Sequence, residues 1–387
     1  MIIYYSILAY TCFVAWFGCF VRQKRLSGTE NEYYYKRQNS ISIFFAFASL
    51  ALLVYFVGVR TDYQDTYTYI ETFKNINIDI SYENFKNMNN AKQGSAGFYI
   101  LEMLFKKYIS TDFTDWFFFL AILQAGAIAL FYYRYSENFT FSVYLFITST
   151  TVTQWMMNGI RQFTAICFVL YFFNYVVERK FFKFLIIVII AYFLHSTAIF
   201  WIPMYFIIKY KPFSKQIWTW VALTLIVVFF VDTFTDLLNS SFEGTKYEGE
   251  DISAYGATHG GTIDDGVNPI RVIVYAIPPA IALWRRKYVE QRSNPLIDIL
   301  INMSTATVGI YLIGMVTSGI LVGRVPGYFE LGNYILLPWL INNTFEGKFR
   351  KCMKVMCILG YFAYFYYAMQ IQGYGYYISS IIGVKYI

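Results

Sequence analysis

The stretch FLIIVIIAYFLHSTAIFWIPMYFII, residues 184–208, decides how this chain is threaded. It is long and apolar enough to cross a bilayer once as a helix. Glu178, Arg179 and Lys180 precede it, and Lys209, Lys211 and Lys215 follow it. A single crossing would put those three lysines outside, the acidic 236–268 loop inside and the Arg285-Arg286-Lys287 cluster outside. Each placement breaks the rule that Lys and Arg stay on the cytoplasmic side. All three become regular if 184–208 enters and returns, as a re-entrant hairpin or two half-helices. The polar pair His195-Ser196 marks the midpoint, where non-helical backbone is tolerated only inside protein or beside a wet cavity. A hairpin is therefore expected, the rival being a plain crossing with an exception to the charge rule.

The rest of the chain sets this stretch in context. Of its 387 residues 57% are hydrophobic and 14% charged, and the mean hydropathy is +0.44. Apolar runs near 1–21, 40–59, 113–133, 139–157, 160–177, 217–235, 269–287, 296–322, 327–343 and 355–372 each approach a membrane span. The runs are continuous rather than alternating, which argues against a β-barrel. The expected fold is all-α: a polytopic membrane protein of about ten transmembrane helices plus the hairpin, forming a single integral membrane domain over 1–387. Basic loops at 22–37, 134, 179–183, 285–292 and 348–354 read as cytoplasmic. Loops 60–112 and 236–268 and both termini then lie outside. The first helix carries its positive charges after the apolar run and reads as uncleaved. The net charge of +7 resides mainly in the cytoplasmic loops and carries no nucleic-acid signal. The five cysteines (Cys12, Cys19, Cys167, Cys352, Cys357) lie in or beside apolar runs and read as small buried hydrophobes. No metal or cofactor motif is present.

Arg60, Arg161, Arg271 and Arg324 depart from the charge pattern. Each sits at the expected outer end of an apolar run, whereas the other arginines fall in cytoplasmic loops. One such arginine is explained by snorkelling or a salt bridge; four from separate helices suggest one shared anionic ligand, a lipid-linked pyrophosphate. Arg161 opens a helix in Asn158-Gly159-Ile160-Arg161-Gln162, where the dipole favours an anion. Arg271 follows an Asn268 cap and Pro269. Arg324 stands in the break Gly323-Arg324-Val325-Pro326-Gly327-Tyr328. Beside Arg60, Asp62 and Asp65 are candidate general bases, or neutralise it. His195 is a further candidate base, or an anchor for the hairpin. Tyr63, Tyr67, Gln162 and Tyr328 are candidate sugar contacts. The remainder of 60–112 mixes aromatic and polar residues as short interfacial helices do. His259 reads as solvated, and Glu243, Glu248, Glu250, Asp251, Asp264 and Asp265 as a weak cation site or a lid.

Five stretches, in order, resemble the EpsG family of Wzy-type polysaccharide polymerases: GVRTDYQDTY at 58–67, GFYILEML at 97–104, NGIRQFTA at 158–165, AYFLHSTA at 191–198 and RVPGYFELGNYILLP at 324–338. The resemblance implies a metal-independent membrane glycosyltransferase with a GT-C-like fold in the bacterial cytoplasmic (inner) membrane. Such enzymes join oligosaccharide repeats carried on undecaprenyl pyrophosphate, at the outer face, transferring the growing chain onto a new repeat. The partners implied are these lipid-linked oligosaccharides, membrane lipid and a chain-length regulator; no cofactor and no nucleic acid is expected. The alternative is a lipid-linked oligosaccharide flippase or other transporter, which should show two related halves. An acyltransferase and a purely structural partner in glycan assembly are more distant readings.

Overall fold

A computed structural model describes residues 2–22, 42–79, 81–91, 95–231, 233, 236, 240, 257–259, 262–264 and 266–386. The protein is a helical membrane protein. Among the described residues, four helices are long and apolar enough to cross a bilayer: Ile2–Phe20, Phe113–Tyr135, Pro295–Val316 and Gly347–Gln370. The other expected spans are shorter helices, some of them divided. The 40–59 run becomes Ile43–Ala48 and Ala51–Gly58, with the Ser49 hydroxyl bonded back to the Ala46 carbonyl at 2.8 Å. The 139–157 run becomes Phe139–Thr148 and a π-helix, Val152–Met156. Hydropathy alone does not mark such breaks, because serine and threonine satisfy the freed backbone groups without interrupting the apolar run.

The chain forms two compact units, 1–199 with 345–387 and 200–344. In the first, helix Phe113–Tyr135 is flanked by Ala51–Gly58 and Ile160–Tyr171. Gly58 admits the Phe118 ring where a Cβ would stand 2.5 Å from it. The buried Gln124 amide donates to Thr164 Oγ1 at 3.0 Å and to the Ile160 carbonyl at 3.3 Å, fixing the start of the helix that carries Arg161. The 60–112 segment forms three helices, Thr66–Asn75, Tyr82–Ala91 and Ala96–Tyr108. The apolar faces of the first and third place Phe73, Phe98 and Phe105 around Trp116 at the head of Phe113–Tyr135.

In the second unit, Pro295–Val316 is central and packs against Trp201–Ile208, Lys215–Phe229, Pro269–Trp284 and Asn333–Thr344. Within the 236–268 loop, Ala257–His259 pairs antiparallel with Thr262–Asp264, Thr258 opposite Ile263. Glu243, Glu248, Glu250, Asp251 and Asp265 lie outside the described residues, as do the side chains of His259 and Asp264 and most of the basic 22–37 loop.

The 184–208 stretch is broken where the sequence placed the break. Helix Phe181–Leu194 ends at His195, which is extended (φ −158°, ψ 124°), and a 3₁₀ turn, Ser196–Phe200, leads into Trp201–Ile208. Asn302 donates to the Ile208 and Tyr210 carbonyls at 3.1 and 2.6 Å, and Lys211 pairs with the buried Asp298 at 2.7 Å. Lys211 therefore lies at the Pro295 end of the central helix. Arg285 and Arg292 meet the Thr344 and Asn343 carbonyls at that same end. The basic groups of 209–215 and 285–292 thus share one end of this unit, as both threadings of 184–208 require. In a cysteine-free background, Lys215→Cys is expected to react with a membrane-impermeant maleimide only after permeabilisation, and Tyr67→Cys in intact cells. Labelling of Lys215→Cys in intact cells would restore the plain crossing.

Candidate functional site

Within each unit, two of the four singled-out arginines lie at the end opposite the basic loops. In the first unit Arg134 reaches the Tyr171 carbonyl, marking the basic end, while Arg60 and Arg161 lie at the opposite end, beside the 60–66 turn. Arg60 is 1% exposed. Its guanidinium lies 4.3 Å from the centre of the Phe117 ring, donates to the Val57 carbonyl, and donates through Nε to Thr66 Oγ1 at 3.2 Å. Burial pushes its pKa down to about 10, well above any physiological pH, so it remains a buried cation satisfied by oxygens and a ring face.

Arg161 is half-buried in the first turn of Ile160–Tyr171 and donates to the Tyr99 hydroxyl at 3.1 Å. The Tyr69 and Tyr99 rings lie 6.0 and 5.7 Å from its guanidinium carbon, and the Asp65 carboxylate is within electrostatic range. Burial pushes the Tyr99 phenol up, against the pull of Arg161. The Asp65 backbone N–H donates to Asn158 Oδ1 at 3.2 Å, tying the turn to the helix start. Asp62 and Asp65 are both exposed, and although Asp65 holds the N-cap position of Thr66–Asn75, its carboxylate does not cap it.

The 60–66 turn is held from below by a segment that the sequence reading left without a role. Strands Tyr377–Ser379 and Val384–Tyr386 form a hairpin. Ile378 accepts from the N–H groups of Thr61 and Asp62 at 2.9 and 3.2 Å and donates to the Asp62 carbonyl at 3.2 Å. The Tyr377 hydroxyl donates to the Phe56 carbonyl at 2.8 Å. Tyr376 stacks on Tyr63 (centroids 4.8 Å apart, 15° between planes), and its hydroxyl accepts the Gln64 N–H. Gln64 has φ +44°, a conformation a side chain adopts only when its surroundings hold it there.

In the second unit, Asn268 caps Pro269–Trp284, accepting the Ile270 N–H at 2.8 Å, and Arg271 follows in the first turn. This 16-residue helix separates Arg271 from Arg285 by about 20 Å. Val267 packs against Gly314 and Gly323, where a Cβ would come within 2.9 and 2.5 Å of its methyl, and its N–H donates to the Gly314 carbonyl at 2.9 Å. The segment carrying Arg271 and the turn carrying Arg324 therefore converge on the C-terminal end of Pro295–Val316. Nearby, the buried Tyr311 hydroxyl donates to the buried Glu330 carboxylate, and the charge of Arg271 also reaches Tyr311.

The structure brings Asp62, Asp65, Arg161 and the Arg60-braced turn together, and places Arg271 with Arg324 on one end of the other unit. His195 sits at the helix break, its Nδ1 2.7 Å from Thr197 Oγ1, and Phe193, two residues before it, packs its backbone against Gly97 on the helix that carries Tyr99. Of the expected sugar contacts, Tyr67 is 67% exposed, whereas Tyr63, Gln162 and Tyr328 are buried at 0, 3 and 1%. Tyr69, Tyr99, Tyr376 and Glu330 were not singled out. In sequence they look like ordinary aromatic or helix residues, and only their approach to Arg161, Asp65 and Arg271 distinguishes them.

The model of the EpsG family matches residues 42–379. No curated protein and no solved structure matches the chain. The match ends within the C-terminal hairpin, so it includes the Tyr376–Tyr63 stack and the Ile378 bridge.

Arg60 and Arg161 should separate in a stability measurement. Arg60→Leu leaves the Val57 carbonyl and Thr66 hydroxyl without their donor, at about 1–3 kcal/mol each. Its thermal midpoint in detergent is expected to fall by roughly 4 °C or more, and that of Arg161→Leu by much less. Equal midpoints would contradict the bracing role of Arg60.

Proposed function

Because the chain belongs to the EpsG family, a family of Wzy-type polysaccharide polymerases, we propose that it polymerises oligosaccharide repeats carried on undecaprenyl pyrophosphate. The reaction takes place at the outer face of a bacterial cytoplasmic membrane, on a GT-C-like helical scaffold. The growing chain is the donor and a single lipid-linked repeat the acceptor. A hydroxyl oxygen of the acceptor attacks the anomeric carbon of the donor, the bond from that carbon to the pyrophosphate oxygen breaks, and the lipid pyrophosphate leaves with the bonding pair. The acceptor's proton passes to a carboxylate. The observation that carries this reading is the charge division inside each unit, which keeps Arg161 in one and Arg271 and Arg324 in the other away from the basic end.

Arg161, Arg271 and Arg324 are the groups we assign to the leaving pyrophosphate. A guanidinium offers paired donors to phosphate oxygens and strengthens as charge develops in a partly dehydrated site. Asp62 and Asp65 are the favoured bases, because both are exposed and Asp65 lies near Arg161. Arg60 is assigned a positioning role, holding the turn that presents them. His195, bonded to Thr197, is assigned to the helix break.

Arg161→Ala, Arg271→Ala and Arg324→Ala are each expected to reach the membrane at normal levels and leave single capped repeats in place of long glycan. Long chains from all three would remove the proposed mechanism. Loss of all surface glycan, single repeats included, would point instead to a flippase.

A further inference from the structure

The C-terminal hairpin and the π-helix do more than brace the turn. Gln154, in Val152–Met156, donates through Nε2 to the Tyr374 hydroxyl at 3.4 Å and accepts from Thr150 Oγ1 at 3.3 Å. The Tyr374 carbonyl accepts the Tyr63 hydroxyl at 3.4 Å. Tyr63 stacks on Tyr376, Tyr376 accepts the Gln64 N–H, and the next residue, Asp65, returns through its N–H to Asn158. Asn158 lies one helical turn beyond Gln154 along the same segment. These contacts close a ring of groups from three distant parts of the sequence. π-helical turns are frequent at functional sites because they redirect side chains out of the regular helical array.

The chemistry of this ring is that of carbohydrate recognition. Tyr63 is fully buried and Tyr376 lies over it, so the exposed part of Tyr376 is the side facing away from Tyr63. An aromatic face of this kind accepts the C–H face of a pyranose. Gln154, Asn158 and the Tyr374 hydroxyl are half-buried and supply planar amides and a hydroxyl, which both donate to and accept from sugar hydroxyls. The Asp62 and Asp65 charges both reach the Tyr376 hydroxyl; burial pushes that phenol up, and the two carboxylates add to the shift despite the opposing Gln64 hydrogen bond. The candidate bases therefore stand at the rim of the platform, where they meet a hydroxyl of any ring seated on it. Two carboxylates also disfavour an anionic sugar at this position.

We propose that Tyr376, Tyr374, Gln154 and Asn158 form the subsite for the attacking sugar of the acceptor repeat, a neutral or amino hexose. The proposal rests on the polymerase reading but places the sugar, not the pyrophosphate. The assignment follows from side chains converging around Asp62 and Asp65, and involves none of the four arginines.

The probe is the free repeat-unit oligosaccharide, released by mild acid from the lipid fraction of cells that lack the polymerase and so carrying no phosphate. Its binding to the purified full-length protein is followed by saturation-transfer NMR, and polymerisation by the purified protein is measured alongside. Tyr376→Ala and Gln154→Ala are each expected to weaken binding at least tenfold and to raise the acceptor KM with little change in kcat. Tyr376→Phe keeps the platform and is expected to bind within threefold of wild type. Arg161→Ala is expected to bind the free sugar normally while failing to polymerise. Gln154→Ala removes only two long hydrogen bonds, so it decides the matter if Tyr376→Ala is poorly folded. Wild-type affinity in Gln154→Ala and in every folded Tyr376 variant overturns the subsite, as does a wild-type protein that does not bind the probe. Polymerisation by the arginine variants would instead overturn the pyrophosphate assignment and leave the subsite standing.

Discussion

A guanidinium buried at the end of an apolar helix must find oxygens, or it cannot stay there. Arg60 finds the Val57 carbonyl and the Thr66 hydroxyl beneath the Phe117 ring. Those contacts satisfy an orphan carbonyl at the end of Ala51–Gly58 and fix where the next helix, Thr66–Asn75, starts. Between them runs the short turn that carries Asp62 and Asp65. The C-terminal hairpin binds this turn on its backbone side, through Ile378, and leaves both carboxylates exposed. Arg60 is bonded within the protein and braces this turn.

The second constraint is the separation of charge along each unit. Lys211, Arg285 and Arg292 bind carboxylate or carbonyl oxygens at one end of the 200–344 unit, where the two arginines also cap Asn333–Thr344. Arg271 and Arg324 converge on the other end through Val267, Gly314 and Gly323. Glycine is needed at the last two positions because the valine methyl occupies the space of a Cβ. Arg134 and Arg161 show the same division in the first unit. Arginines set away from the basic end need partners, and Arg60 and Arg161 find protein groups there.

Much of this was legible in the sequence. Alternation of basic and acidic loops located the break at His195-Ser196, because a one-crossing reading put three charged segments wrong at once. The Asn268-Pro269 cap was legible because its stereochemistry is local. The division of expected spans at Ser49 and Thr148 was not, because hydroxyls interrupt helices without altering hydropathy. Nor was the burial of Tyr63, Gln162 and Tyr328. A tyrosine beside two aspartates reads the same whether it faces a sugar or lies beneath another tyrosine more than 300 residues later in the chain. The role of the hairpin and of Tyr376 depended on such long-range pairing and left no mark on local pattern.

The central proposal is that the arginines set apart from the basic loops bind a phosphorylated lipid carrier. Its most direct test is a cryo-EM structure of the protein in a lipid nanodisc with undecaprenyl pyrophosphate bound. The account predicts phosphate oxygens about 3 Å from the guanidinium nitrogens of Arg161, Arg271 and Arg324. A pyrophosphate seated instead among Arg285 and Arg292, or three guanidinium groups dispersed to separate faces, would contradict it.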